Sequence, residues 1–319
     1  MDNPRSVMAC IADFIREWES DCDYIVAHTS GSTGDPKAIR LPKSDMRVSA
    51  RATNRRFGID SSSVIAAPLS TDYIAGKMMC VRAIEAGCRL IDMPVSNTVT
   101  VDRKIDLLAI VPSQLESLLL QVDAPALIGN LIIGGAALGK NQIKNIVDRG
   151  FNAFATYGMT ETCSHVALKR ISRHDGCFEA MPGISFETDR RGCLMINAPD
   201  YSFRKLTTND IVELISTTSF VWIGRYDNVI NSGGIKIMPE QLEAEIAALI
   251  DRPFYITAVC DEKWGEVPAV VFEGDSCEEQ NLIDLLAEKI DHRRCPKTAK
   301  AVDALPRTSN GKIIRKKIC

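Results

Sequence analysis

Paired cysteines are missing from this sequence of 319 residues. Its 11 cysteines are odd in number and scattered, with no C-x-x-C among them. That pattern excludes a zinc-finger arrangement and a disulfide framework, and it fits a reducing cytoplasm. Burial as small apolar side chains is the expectation for nearly all of them. Charge of one sign is also scarce. The 38 Lys and Arg nearly balance 41 Asp and Glu, and a net charge of −3 gives no electrostatic reason to bind nucleic acid or an anionic membrane. No apolar run is long enough for membrane insertion, and the opening "MDNPRSVMACIADFIREWES" is amphipathic and acid-containing, unlike a signal peptide. Internal repeats and low-complexity linkers are absent too. What is present is a globular composition, 45% hydrophobic and 25% charged, with enough chain for two domains and a sizeable core.

The apolar periodicity falls into two regimes. Val7, Met8, Ile11, Phe14, Ile15 and Trp18 share one helical face, and "YIVAH" (24–28) reads as a strand. "SDMRVSARATNRRF" reads as a helix with Ser44 as its N-cap. Short apolar runs at 64–68, 89–93, 107–112, 131–135 and 152–158 then alternate with helical patterns such as 113–121 and 139–149. Such alternation predicts an α/β fold with a mostly parallel sheet and helices on its faces. Beyond about residue 183 the pattern changes to short strands with polar turns, a small antiparallel element. "GRYDNVINSGG" (224–234) interrupts it, and two helices with two strands follow. The expected organisation is a large N-terminal domain, residues 1–226, and a small α+β C-terminal domain, residues 227–319.

One stretch is out of keeping with a simple core. "VAHTSGSTGDPKAIRLP" (26–42) places Thr29, Ser30, Gly31, Ser32, Thr33 and Gly34 between a strand and Lys37. Glycine in such a run costs conformational entropy, and its usual benefit is close backbone approach to an anion. A nucleotide phosphate is the first candidate. The loop is not a Walker P-loop, because no Gly-Lys-Ser/Thr follows.

The whole string "TSGSTGDPK" resembles the phosphate loop of the adenylate-forming superfamily, which includes acyl-CoA and aryl-CoA synthetases, peptide-synthetase adenylation domains and luciferases. Further segments agree, in the family's order: "GGAAL" (134–138), "TYGMTET" (156–162), "GRYDNVINSGGIKIMPEQLE" (224–243) and "LPRTSNGKIIRKKI" (305–318). Within the superfamily, "YGMTETCSHVALK" and "LSTDYIAGKMMCVRAIEAG" are most similar to the compact 2-succinylbenzoate–CoA ligases of menaquinone biosynthesis. Ala38 stands where the family commonly has Gly, and the chain carries little of the segment that usually precedes the loop.

The resemblance implies an AMP-forming acid–thiol ligase. A carboxylate attacks the α-phosphorus of ATP, giving an acyl-adenylate and pyrophosphate, and the thiol of CoA then displaces AMP. The acyl acceptor of a carrier protein presents the same pantetheine arm and stays open as an alternative, as does another aryl or short acyl acid. Thr29 to Gly34 and Lys37 would hold the β- and γ-phosphates, and Thr160 would contact the α-phosphate. Glu161 would bind Mg²⁺, a hard ion that bridges phosphate oxygens. Gly134, Gly135 and Ala136 would line the adenine pocket together with Tyr157, Gly158 and Met159. Tyr157 would stack on the base or else pack in the core. Asp210, in "TTND" with Asn209 replacing the family's Gly, would accept from the ribose hydroxyls, with Arg225 nearby.

Lys312 would stabilise the attacking carboxylate and α-phosphate during adenylation. Asp227 would be the hinge on which the C-terminal domain turns between half-reactions, bringing Gly233 and Gly234 against pantetheine. For the distal carboxylate of the acid, Arg82 and Lys77 compete, and His165 either lines that pocket or is an ordinary core histidine. The partners implied are small molecules, and the sequence admits an oligomer.

Overall fold

The computed structural model describes residues 7–28, 37–174, 176–307 and 313–317. Its centre is built from the short apolar runs of the first half. Strands Arg89–Ile91, Val64–Ala66, Ile105–Ile110, Ile128–Ile133 and Ala153–Gly158 lie side by side in parallel. Parallel neighbours need crossovers, and helices Ile74–Ala86, Pro112–Leu119 and Lys140–Asp148 are the connecting helices. Alternation along the strands then fills two cores. Ile65, Leu107, Ile132 and Phe154 pack with Met79 and Ala83 on one face. Ala66, Leu108, Leu131 and Ala153 pack with Leu115, Leu118 and Ile146 on the other.

The antiparallel strands expected after residue 183 form, but they are continuous with the parallel sheet. From Ala153–Gly158 the sheet runs on through His165–Arg170, Phe178–Ala180, Ser219–Arg225, Arg204–Ser216, Cys193–Ala198 and Ser185–Thr188, giving 11 strands. The join is short: Phe220 lies opposite Phe178, and their rings stack at 5.4 Å.

Strand Tyr24–His28 pairs with Ala38–Pro42, so His28 faces Ala38 and the hydroxyl-rich segment connects the two ends of a hairpin. Helix Lys43–Phe57 follows at once. Pro42, at φ −58°, holds its N-cap position, and Ser44, expected there, lies inside the first turn with its hydroxyl on Asp45. Proline can end the strand because its fixed φ suits a helix start and no ladder N–H is lost.

A third sheet orders Ile235–Ile237, Ile230–Ser232, Gly265–Glu273 and Phe254–Asp261, with Thr298–Val302 parallel to Gly265–Glu273. Helices Pro239–Ile246 and Glu279–Lys289 contribute Leu242, Ile246 and Leu286 to its core. Helix Pro239–Ile246 also touches strand Ser219–Arg225 of the large sheet. At that contact the half-buried Glu240 lies beside Gly224 with its Oε2 buried. Its Oε1 accepts from Asn228 Nδ2 at 2.5 Å, while Oε2 has no donor among the described residues.

The cysteines divide. Cys80, Cys163, Cys193 and Cys295 are buried as expected, and burial pushes the Cys80 thiol up to about 12. Cys22, Cys260 and Cys277 are exposed, against expectation: Cys22 and Cys277 lie in short polar segments, and Cys260 lies near the end of strand Phe254–Asp261. No helix among the described residues is long and apolar enough to cross a membrane.

Candidate active site

Two neighbouring parallel strands end side by side, Ile133 opposite Ala155, and each delivers one of the motifs. Gly134 and Gly135 continue from the first. A Cβ on Gly134 would lie 2.5 Å from Thr156 Oγ1, and Gly135 has φ +90°. Glycine there lets the segment lie against the neighbouring strand and turn left-handed. Ala136 is exposed. In open α/β sheets this carboxyl edge is where ligands bind.

The second strand ends in a tight turn. At Gly158 an added Cβ would sit 2.2 Å from the Ser164 carbonyl and 2.6 Å from His165 Cα, and the ladder slips register between Tyr157 and Gly158. Met159 leads into the 3₁₀ turn Thr160–Thr162. Thr162, fully buried, accepts from Met159 N–H at 2.9 Å, and its hydroxyl lies 2.7 Å from the Ser164 carbonyl. Cys163 follows at φ +62°, a strained value for a side chain other than glycine, costing about 1–3 kcal/mol. It is held by burial among Ile25, Leu41, Met46 and Met78. The turn contacts strand Ala38–Pro42, just after the exposed Lys37. Thr160 is half-buried, and Glu161 is exposed with no ion-pair partner among the described residues. Gly158→Ala should therefore open the bulge and lower the thermal midpoint, by about 1–3 kcal/mol of stability. An unchanged melting curve would show that the turn does not depend on it.

A carboxylate anchors the other side. Asp210, on strand Arg204–Ser216, is 6% exposed. It accepts from Tyr157 Oη at 2.7 Å and from Trp222 Nε1 at 3.1 Å, with Arg225 Nη1 3.6 Å away. Burial and then Asp210 push the Tyr157 phenol well above its ordinary range. The Tyr157 ring packs edge-on to Phe220 at 5.0 Å and near Phe178, so one side of it belongs to the core. Trp222 was not singled out from sequence, although its place opposite Val212, two residues past Asp210, follows from hairpin register. Asp227, in the 3₁₀ turn Tyr226–Asn228 between the large and third sheets, accepts from Arg225 at 2.8 Å and Asn209 at 3.1 Å.

Comparison with known proteins decides the family. The family model described as AMP-binding enzyme matches residues 15–185. This chain belongs to that family. It is an AMP-forming acid–CoA ligase. It is 32% identical to an acyl-CoA synthetase (AMP-forming)/AMP-acid ligase II-like protein from Dyadobacter fermentans, over 98% of this chain and 94% of that one, with a TM-score of 0.64. The 2-succinylbenzoate–CoA ligase of Bacillus mycoides is 24% identical over 92% of this chain and 69% of its own length. The fold is shared with O-succinylbenzoate coenzyme A synthetase of Bacillus subtilis, solved with ATP and magnesium, at 20% identity and a TM-score of 0.78, covering 91% and 68% of the two chains.

In this ligase the two rival cations part company. Lys77 is buried, but its ammonium lies 3.1 Å from Glu17 and over the Phe14 ring at 5.0 Å. Arg82 is 2% exposed and has no carboxylate partner among the described residues. Its Nη2 donates to Ser164 Oγ at 2.6 Å, its Nη1 reaches only Met79 Sδ, and its Nε has no acceptor. Burial pulls the guanidinium down to about 10, so it remains charged at neutral pH. His165 is buried beside it, between Thr53 and Ser164, and burial, then Arg82, hold its imidazole well below the usual range.

At the far end of the ligase, Gly233 and Gly234 form the tip of the hairpin Ile230–Ser232 and Ile235–Ile237, at φ +56° and +86°. Two consecutive left-handed residues are what such a turn needs. A Cβ on Gly233 would meet the Trp264 ring at 2.4 Å. Thr29, Ser30, Gly31, Ser32, Thr33, Gly34 and Lys312 lie outside the described residues. Lys312 is flanked by a bridge between Arg307 and Ile313, and by Arg315, whose Nη2 donates to Glu243 at 2.7 Å.

Proposed function

We propose that this ligase activates 2-succinylbenzoate as its acyl-adenylate and transfers it to CoA, as its similarity to the 2-succinylbenzoate–CoA ligases suggests. The observation that carries the substrate reading is Arg82. A buried guanidinium without a carboxylate is costly, and a buried charge of this kind calls for an opposite charge. An acid with a second carboxylate brings one. A monocarboxylic acid does not.

The remaining roles follow the motifs. The segment 29–34 and Lys37 hold the β- and γ-phosphates, and Thr160 the α-phosphate. Glu161, exposed and without an ion-pair partner among the described residues, would hold a Mg²⁺, which would offset the negative charge of the phosphates. Gly134, Gly135 and Ala136 line the adenine pocket with Tyr157, Gly158 and Met159, and Asp210 and Arg225 meet the ribose. Residues 227–319 form a domain that pivots at Asp227, carrying Lys312 toward the site for adenylation and Gly233–Gly234 toward it for thioester formation.

Pyrophosphate release over a panel of carboxylic acids, with and without CoA, is the test. 2-Succinylbenzoate should stand above benzoate and short monocarboxylates, and AMP should be the nucleotide product. ADP with phosphate would overturn the reaction assignment. A monocarboxylate as the best substrate would overturn the reading of Arg82.

A further inference from the structure

The polar contacts around Arg82 form a chain from Thr53 through His165 and Ser164, and the protons available to its members assign it a direction. Thr53, on helix Lys43–Phe57, gives its only hydroxyl proton to the Ser49 carbonyl one turn back, at 3.1 Å. Its oxygen lies 3.1 Å from His165 Nε2. Having no proton left to give, Thr53 must accept, so Nε2 carries the hydrogen. Burial and the adjacent guanidinium keep the ring neutral, so Nδ1 is a bare acceptor. Ser164 Oγ lies 3.4 Å from that nitrogen and points its proton there. The serine lone pairs are then left to Arg82 Nη2, 2.6 Å away.

From this chain of contacts we propose that Thr53 and His165 are positioning residues: through Ser164 they fix the Arg82 guanidinium by one edge. That leaves Nε, which has no acceptor among the described residues, for the distal carboxylate of the acid. The inference rests on the reading of Arg82 given above; it gives His165 a role other than lining the pocket and adds Thr53, which no motif marks. The opposite tautomer would present an N–H to Ser164, so that its oxygen has to accept from both the imidazole and Nη2 while its own proton loses the His165 acceptor, which weakens the hold on the guanidinium. A dianionic acid would feel that loss. A monocarboxylate would not.

Two measurements test it. The sequence has only 4 histidines, so the His165 imidazole can be assigned in ¹⁵N–¹H long-range spectra of the full-length protein by its loss in His165→Asn. It should show the neutral Nε2–H form at neutral pH in the wild type and lose it in Thr53→Val, with Thr53→Ser restoring it. An Nδ1–H or doubly protonated ring in the wild type overturns the relay whatever the substrate is. In kinetics, Thr53→Val should raise KM for 2-succinylbenzoate about tenfold, or 1.4 kcal/mol, with kcat little changed and benzoate within about twofold of wild type on the same scale. Equal losses on both acids, or no rescue by serine, would make Thr53 a packing residue and sink the proposal. If the wild type does not turn over 2-succinylbenzoate at all, the substrate reading fails, and the tautomer alone decides the relay.

Discussion

Lys312→Ala should nearly abolish adenylation while leaving thioester formation from supplied acyl-adenylate close to the wild-type rate. Adenylation brings a carboxylate onto a phosphate already carrying negative charge, so a positioned cation acts mainly on the transition state. Removing one such donor typically costs about 10²–10³-fold in kcat. The residues flanking Lys312 are tied down. Arg315 is held by Glu243 and by the Ile256 carbonyl, and Ile314 N–H donates to the Pro306 carbonyl. The segment on either side is therefore part of the third sheet's surroundings and should travel with it. Asp227→Pro should give the converse result. Proline fixes φ near −65° at the proposed pivot, so adenylate should accumulate and thioester formation should stall. General destabilisation would depress both steps together. Single-turnover measurement of each half-reaction separates these outcomes. Loss of the thioester step in Lys312→Ala as severe as that of adenylation would rule out alternation about Asp227.

Arg82→Ala should be the most damaging change in the acyl pocket. Truncating one partner of a buried charged pair costs about 2–5 kcal/mol, which corresponds to roughly 30-fold to several-thousand-fold in kcat/KM. The loss should fall on 2-succinylbenzoate and spare benzoate. Lys77→Ala serves as the control, because Lys77 already has Glu17 and should affect both acids alike through stability alone. Arg82→Lys keeps the charge but not the planar fork, and should recover only part of the activity. Equal damage to both acids by Arg82→Ala would mean that the guanidinium only supports the fold.

Some of this was legible in the sequence and some was not, for physical reasons. The parallel strands could be read because each is a short buried run bounded by turns, as in "LLAIVP". Strand Ala38–Pro42 could not, since "AIRLP" is brief, mixed in polarity and ends in proline. The continuity of the large sheet rests on Phe178 meeting Phe220, a pairing across more than forty residues that local periodicity does not encode. Arg82 and Lys77 were rivals on one helix. Five residues correspond to about 140° of rotation at 3.6 residues per turn, so only one of them could face the sheet core. Which one depends on helix Val7–Glu19, which supplies Glu17. Thr53 was invisible for a related reason: it matters through His165, a partner distant in sequence. Trp222 lies across one hairpin from Asp210, so register alone could have placed it.

Glu240 gives the contact between the two larger sheets a temperament of its own. One of its oxygens is taken out of water against Gly224 and receives nothing in return from the described residues. An unmet acceptor of this kind costs on the order of 1–3 kcal/mol. Any arrangement that lifts helix Pro239–Ile246 from strand Ser219–Arg225 gives that oxygen back to solvent. The docked arrangement is thus held below its full adhesive strength, like a latch closed against a light spring. In the two-arrangement cycle proposed above, such a contact would shorten the dwell in this arrangement and speed departure from it.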